Sequence, residues 1–232
     1  MLKQMILYIG TSDWVLIGST LCLAIVALLT PALSEFVKRE LFKPILKINF
    51  RLAPPVCHKT TYNLDSQKPV YFFRFEVENI GKTLCRNVEN SLENVWIFNS
   101  ASQPIKVRDF TPINLKWSLN YTIIQQNINT GKRIYCNIGH LPTKEIQEIN
   151  RRLINPVGYK GNDLRLELDL LINLNAQLNC LPPGIYILEV KTYSENCKTL
   201  YNYLQISWSG IWSDDIDVMF QELVITVVDK PV

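Results

Sequence analysis

The two histidines of this chain each lie close to a cysteine, and these pairs are the first place to look for chemistry. Cys57 and His58 are adjacent, and Cys136 precedes His140 by four residues. Two thiolates and two imidazoles would suit tetrahedral zinc, and a cysteine beside a histidine can also act as a nucleophile. Neither pair is a CxxC, however, and Cys136 falls in a strand pattern, where a cysteine is commonly a small buried residue. We therefore expect no metal, no cofactor and no catalytic residue.

An acidic cluster and a tryptophan near the C-terminus are the other candidate groups. Asp214, Asp215 and Asp217 lack the spacing and the glycine of a calcium loop. The first two would complement the N-terminus of a helix that we predict to be capped by Ser213. Trp212 precedes this cap and is expected to pack the helix onto the sheet, whereas an exposed Trp212 would be a binding patch. The sequence contains no GxSxG, HExxH or phosphate-binding glycine loop, which favours a non-enzymatic protein.

A long apolar run near the N-terminus is the clearest feature of the chain. Trp14–Leu33 contains 20 residues without a charged side chain. Such a helix is about 30 Å long, the thickness of the hydrocarbon core of a bilayer. The alternatives are a buried helix of a soluble protein and a cleaved signal peptide, whose apolar region usually has about 7–15 residues. We predict a short tail (1–13) and a single transmembrane helix (14–34), with Trp14 at the membrane interface.

The charges beside this helix predict its orientation. Lys38, Arg39 and Lys43 lie in the basic juxtamembrane segment 35–44, whereas Lys3 is the only basic residue on the other side. Basic flanks stay in the cytoplasm, so the N-terminus is expected outside and the large domain inside the plasma membrane. Five cysteines outside the helix, an odd number without regular spacing, agree with a reducing compartment.

The positive net charge of +3 is concentrated in the same region. Residues 52–232 carry 18 basic and 18 acidic side chains and are neutral. A nucleic-acid-binding domain normally has its own basic patch, so we expect no nucleic acid partner. The predicted partners are the lipid bilayer, anionic lipid head groups bound by the basic flank, and an unidentified protein.

From residue 45 onward, the hydrophobic pattern changes from helical periodicity to alternation. The alternation is clearest at Leu164, Leu166, Leu168 and Leu170, and similar runs occur near 46–52, 73–77, 84–98, 131–138, 186–190, 204–208 and 223–228. Turn residues separate these runs, which predicts a mainly β domain (45–232) folded as an antiparallel Ig-like β-sandwich, with a closed barrel as the alternative. Two short helices are expected, capped by Thr143 and Ser213. Insertions are expected at 53–69, 100–128 and 141–160.

Four segments of the β domain resemble a family of bacterial proteins. They are VENIGKTLCRNVE (77–89), INTGKRIYCNIGHL (128–141), LPPGIYILEVKTYSEN (181–196) and ISWSGIWSDDIDVMFQEL (206–223). Members of this uncharacterised family combine an N-terminal membrane helix with an Ig-like β domain. The resemblance therefore implies the fold and the anchoring, and it implies no activity and no site residues.

These features together favour a membrane-anchored, non-enzymatic binding or scaffolding module with a cytoplasmic Ig-like domain. One alternative is a ligand sensor or effector that signals through its helix, and a second is an extracytoplasmic receptor component of the cell envelope. An enzyme that uses the Cys/His pairs is a further alternative. If the domain were exported, Cys180 and Cys197 could form a disulfide, whereas a cytoplasmic domain would keep them as free thiols.

Overall fold

The structure is a computed structural model of the chain, and it divides the protein into two units. The first unit is Met1–Lys43 and the second is Pro44–Val232. The residues that the structure describes are 11–61, 68–99, 101–118, 125–150, 164–173 and 178–231. The predicted tail therefore lies largely outside the described residues.

A single helix, α1 (Thr11–Leu41), makes up the described part of the first unit. Its segment Trp14–Val37 has a mean hydropathy of 2.2, and none of this segment is buried in the protein. The side chain of Trp14, at one end, is exposed. The helix thus has the length and composition to cross a membrane, and its apolar residues are on the outside, where lipid would contact them.

Hydroxyl groups inside this apolar helix have backbone partners. Ser19 and Thr20 both donate to the carbonyl of Leu16, at 2.9 and 2.8 Å, and Thr30 donates to the carbonyl of Val26 at 2.6 Å. A hydroxyl that is satisfied by the preceding turn needs no water. These polar residues are therefore compatible with a hydrocarbon environment.

Thirteen strands and two short helices form the described part of the second unit. In chain order, these are β1 (Leu46–Asn49), β2 (His58–Thr61), β3 (Pro69–Asn79), β4 (Cys85–Phe98), β5 (Pro104–Lys106), β6 (Ile113–Asn114), β7 (Gln126–Ile128), β8 (Arg133–Pro142), α2 (Lys144–Asn150), β9 (Leu166–Leu168), β10 (Cys180–Leu181), β11 (Gly184–Tyr193), β12 (Leu200–Trp208), α3 (Ile216–Glu222) and β13 (Leu223–Val228).

The strands form two antiparallel sheets. The six-stranded sheet has the order β1-β3-β8-β9-β10, and β2 pairs with β3 next to β1. The seven-stranded sheet has the order β13-β12-β11-β4-β5, and β6 and β7 pair with β4. The predicted mainly β fold and its two-sheet, sandwich-like arrangement are confirmed.

One hydrophobic core is shared by the inner faces of the two sheets. Phe73, Phe75 and Val77 on β3 contribute to it from the six-stranded sheet, and Leu188 and Leu204 contribute from the seven-stranded sheet. These residues occupy alternate positions of their strands, because successive side chains of a strand point to opposite faces. The alternation in the sequence therefore identified the inner face correctly.

The two short helices lie near the predicted positions, but the cap of the second one was predicted wrongly. Asp215, not Ser213, is the N-cap of α3, because its carboxylate accepts hydrogen bonds from the backbone N–H groups of Asp217 and Val218 at 2.9 and 3.1 Å. The hydroxyl of Ser213 accepts from the backbone N–H of Asp215 at 3.2 Å. In α2, Ile146 is buried as expected. Leu153, predicted on the same face, lies outside the described residues.

Candidate functional site

The outer face of the seven-stranded sheet carries a group of aromatic and charged side chains. On its central strand β11, Tyr186, Leu188 and Val190 point into the core. The intervening positions, including Ile187 and Glu189, therefore lie on the outer face. A water-facing sheet face is usually polar, but Ile187 and Glu189 are buried by their neighbours, with only 4% and 7% of their surfaces exposed.

Trp96 and Tyr203 meet edge to face on this surface, with ring centroids 6.1 Å apart. Ile187 pairs directly with Trp96 across β11 and β4 and completes the contact. Partly buried Phe98 and Val228 pack against these three residues. We call these five residues the outer aromatic cluster. It lies on the opposite face of the sheet from the shared core, so stability of the core alone does not require it.

Two carboxylates beside the cluster are held by tyrosine hydroxyls. Tyr203 donates to Glu189 at 3.2 Å, and Asn94 donates to the same carboxylate at 2.5 Å. Tyr193 donates to Glu93 at 3.0 Å. Burial and the neighbouring carboxylate raise the pKa of both tyrosines, so these hydroxyls remain protonated donors.

A single lysine lies among these acidic groups. The Lys191 ammonium is 3.5 Å from the Glu93 carboxylate and 5.2 Å from the centre of the Tyr201 ring. Burial lowers its pKa, but Glu93 and Glu189 outweigh this effect and the net shift is upward. With both carboxylates ionised, one lysine leaves this group with a formal charge of −1. Two more charges of opposite sign belong to this face. Lys106 lies with its ammonium 5.9 Å from the centre of the Trp96 ring, and Glu89 lies opposite Tyr193. Together they leave the formal charge at −1. The face is thus weakly acidic and rich in tyrosine, a composition that can bind cations through carboxylates and aromatic rings.

The outer face of the six-stranded sheet holds a second, more buried set of charges. His140 Nδ1 is 3.0 Å from Asp169 Oδ1, and His140 Nε2 is 3.2 Å from Glu167 Oε2. Burial lowers the pKa of His140, but the hydrogen bond to Asp169 and the nearby Glu167 carboxylate outweigh burial and raise it to about 9. The imidazole is therefore protonated at neutral pH and lies between two carboxylates.

Both histidines contact one aromatic ring. The ring of Phe72, on β3, lies 6.3 Å from that of His58 and 5.6 Å from that of His140. The Arg74 guanidinium is 5.2 Å from the centre of the same ring. The pKa of His58 is lowered by burial and by Arg74, in the direction opposite to that of His140.

The cysteines of the two Cys/His pairs lie on the other side of the sheet. Cys57 and Cys136 are fully buried in the shared core, and burial raises the pKa of Cys57 to about 11 and that of Cys136 well above its usual value. A protonated, buried thiol is a poor nucleophile and a poor metal ligand. Among the described residues, no three histidine, cysteine, aspartate or glutamate side chains are arranged to hold a metal ion.

A β-bulge in β8 explains why Cys136 and His140 face opposite ways. Phe73 pairs with Gly139 and Arg74 pairs with Asn137, so Ile138 is an extra residue. An extra residue shifts the alternation of side chains by one. Residues 136 and 138 consequently point into the core, whereas His140 lies on the outer face.

The predicted cysteine pairing differs from the one observed. Cys197 forms a disulfide with Cys85, at a Cα separation of 6.4 Å, and Cys180 is a buried free thiol. The loop after β11 is held against the start of β4 by Asn196, whose side chain donates to the carbonyl of Leu84 at 2.9 Å and accepts from the backbone N–H of Arg86 at 2.9 Å. This contact places Cys197 beside Cys85.

The residues that we predicted to bind partners lie in different parts of the chain. Trp212 is partly buried, and its ring meets that of Tyr71 edge-on at 5.7 Å. This is the packing role expected for it, and its role as a binding patch stays a prediction. Lys38 and Arg39 belong to the last turns of α1, and Lys43 is exposed just after it. Asp214, from the acidic cluster, pairs with Lys59 at 2.5 Å.

Sequence reasoning missed the outer aromatic cluster and found only the strands that carry it. One feature of the sequence could have revealed the cluster. Alternation assigns Trp96, Ile187 and Tyr203 to the water-facing side of three different strands, where large apolar residues are unusual. No protein-family model, curated protein or solved structure matches this chain.

Proposed function

We propose that this protein is a membrane-anchored, non-enzymatic binding or scaffolding module with a cytoplasmic Ig-like β-sandwich. Its binding surface is the acidic, tyrosine-rich outer face of the seven-stranded sheet, and its partner is a protein that presents a basic segment. The observation that carries this proposal is the outer aromatic cluster beside Glu93 and Glu189.

The helix α1 supports the anchoring part of the proposal. None of the described apolar segment of this helix is buried in the protein. The basic residues Lys38, Arg39 and Lys43 favour the orientation with the β domain in the cytoplasm. There they would also contact anionic lipid head groups, each contributing about 1 kcal/mol.

The chemistry of the outer face supports the choice of partner. Tyrosine is enriched at protein interfaces because it provides apolar area and a polar group together. Tyr201 is 59% exposed and can provide both, whereas the buried Trp96 packs beneath the surface. Carboxylates held by Tyr193 and Tyr203 are positioned before a partner arrives, which lowers the entropic cost of binding. Their negative charge favours lysine and arginine side chains on the partner, which can also stack on the exposed ring of Tyr201.

Site-specific photo-crosslinking in cells tests this proposal. A photoreactive phenylalanine analogue at Tyr201 is expected to give discrete protein adducts, and the same analogue at Thr61, exposed on the other sheet, is expected to give none of them. Replacing Glu93 with Gln should reduce the Tyr201 adducts, because it removes one of the charges that attract the partner. Identical adducts from both positions, or Tyr201 adducts unaffected by Glu93→Gln, would contradict the proposed surface.

The disulfide Cys85–Cys197 supports a second candidate, an extracytoplasmic receptor or envelope component. Disulfides persist in oxidising compartments and are rare in the cytoplasm. A Lys230→Cys variant distinguishes the two, because Lys230 is exposed near the C-terminus. For a cytoplasmic domain, a membrane-impermeant maleimide should label this cysteine only after the cells are permeabilised. Labelling in intact cells would establish the extracytoplasmic orientation.

A further inference from the structure

The last strand, β13 (Leu223–Val228), forms one edge of the seven-stranded sheet. All six of its residues pair with β12, from Leu223 opposite Trp208 to Val228 opposite Tyr203, without a bulge. Within the described part of the chain, no strand pairs with its other side. The strand thus presents a regular row of backbone N–H and C=O groups at the sheet edge.

Other edge strands of the two sheets carry features that discourage pairing with another chain. β1 contains Lys47, β2 contains Lys59, and β5 contains Pro104 and Lys106. The strands β6, β7 and β10 are only two or three residues long. Lysine, proline and short length are the usual means by which proteins protect edge strands.

β13 has none of these features. Its sequence, LVITVV, contains no charge, no proline and no glycine, and four of its six residues are β-branched valine or isoleucine. Thr226 and Val227 are exposed, Val227 to the extent of 59%. An exposed, uncharged edge of high β propensity is a site for pairing with a further strand.

We propose that this further strand is β13 of a second copy of the chain, in an antiparallel pair around a two-fold axis at Thr226. In this register, Thr226 lies opposite Thr226 of the partner copy, and Val224 lies opposite Val228. Beyond the strand ends, Lys230 of one copy approaches Glu222 of the other, so opposite charges face each other. Moving the axis to a point between Ile225 and Thr226 would instead place Asp229 opposite Glu222, two like charges.

This pairing is continuous with the outer aromatic cluster. Val228 packs against that cluster at the edge of the sheet, and in the pair it faces Val224 of the second copy. The outer faces of two seven-stranded sheets would join at this point into one surface. An interface of this kind is isologous, because the same residues of both copies contribute to it.

Charge substitution at Thr226 tests the pairing in the full-length chain, purified in a non-ionic detergent. The wild-type protein is expected to be a dimer by native mass spectrometry. Thr226→Lys places two lysines opposite each other and should weaken the dimer at least tenfold, and Thr226→Glu should do the same. An equimolar mixture of the two variants should form a heterodimer, because the opposite charges then face each other.

Thr61→Lys, an equally exposed threonine on the edge strand β2, is the matched control and should leave the dimer intact. Recovery of the heterodimer also shows that both variants are folded. A wild-type monomer, a dimer that survives Thr226→Lys, or a mixture that remains monomeric would each overturn the proposal. If the wild-type protein is a monomer, β13 would instead pair with a strand of another protein. If the dimer survives Thr226→Lys, its contact lies elsewhere, for example in α1.

Discussion

His140 and Asp169 form a close ion pair, with 3.0 Å between Nδ1 and Oδ1, on the outer face of the six-stranded sheet. Glu167 contacts the other ring nitrogen at 3.2 Å. Both carboxylates are only 5% exposed. Buried carboxylates are costly unless a positive charge compensates them, so the protonation of His140 and the folding of β8 against β9 are coupled.

The stability of the protein should therefore depend on pH in the alkaline range. The pKa of His140 is about 9 in the folded chain, against about 6.5 for an ordinary histidine. The resulting stabilisation is fully present below about pH 6.5 and is lost as the pH rises through about 9, a difference of about 3 kcal/mol. Burial also raises the pKa of the core thiols, which adds a further loss of stability above about pH 9. Urea unfolding of the full-length chain in detergent at pH 6 and pH 10 would measure the sum of both effects.

His140→Gln provides the control for this effect. The glutamine cannot neutralise the two carboxylates, so the variant should be less stable by about 3–5 kcal/mol at pH 6. Its free energy of unfolding should fall between pH 6 and pH 10 by about 3 kcal/mol less than that of the wild type, because only the buried thiols still contribute to the fall. A variant that keeps the pH dependence of the wild type would show that another group titrates.

Gly139→Ala should be strongly destabilising, although Gly139 has an ordinary backbone conformation. A Cβ atom at this position would lie 2.4 Å from the backbone carbonyl oxygen of Glu167. Because both atoms belong to paired strands, relief requires β8 and β9 to separate, at a cost of about 1–3 kcal/mol. Gly131→Asn is a suitable control, because no atom lies within 4 Å of its Cβ position and asparagine tolerates its φ of +72°. Equal thermal stability of the two variants would argue against the steric effect.

The helix cap at Asp215 should be detectable by comparing two substitutions. Asp215→Ala removes the acceptor for two backbone N–H groups and should lower the free energy of unfolding by about 1 kcal/mol. Ser213→Ala should have a clearly smaller effect, because Ser213 receives only the N–H of Asp215. Asp215→Asn should retain most of the stability. A larger loss of stability in urea unfolding for Ser213→Ala than for Asp215→Ala would show that Ser213 is the cap.

The disulfide makes Cys85 and Cys197 interdependent under oxidising conditions. Cys85→Ser and Cys197→Ser should each lower the free energy of unfolding, by up to about 4.7 kcal/mol for a loop of about 100 residues. The double variant should be no less stable than either single variant. Hydrogen bonds of Asn196 to the start of β4 should keep all three folded. Additive losses would contradict the pairing, and Cys22→Ala, in α1, should have no effect.

The sequence was sufficient to predict the strands because one face of each sheet packs on a core. Alternation identified β3, β11 and β12 and the inward position of Trp208, which is buried at 3% exposure. The long run of uncharged residues likewise located the apolar segment of α1. Each of these features depends on residues that are close in sequence, where periodicity is informative.

Contacts between distant strands were beyond what the sequence could show. Alternation assigned Glu167 and Asp169 correctly to the outer side of β9, but it gave no reason to expect them to be buried around His140. That burial depends on the pairing of β8 with β9. Similarly, His58 and His140 meet at Phe72 only because β2, β3 and β8 are neighbours.

The bulge at Ile138 makes one part of the molecule tolerant of a shorter chain. Asn137 pairs with Arg74 and Gly139 with Phe73, so a chain without Ile138 would keep both pairs and form a regular strand. His140 would then remain on the outer face and Leu141 in the core. Natural variants of this protein should therefore tolerate the loss of one residue at the bulge better than elsewhere in β8, where no extra residue can compensate for the change in register.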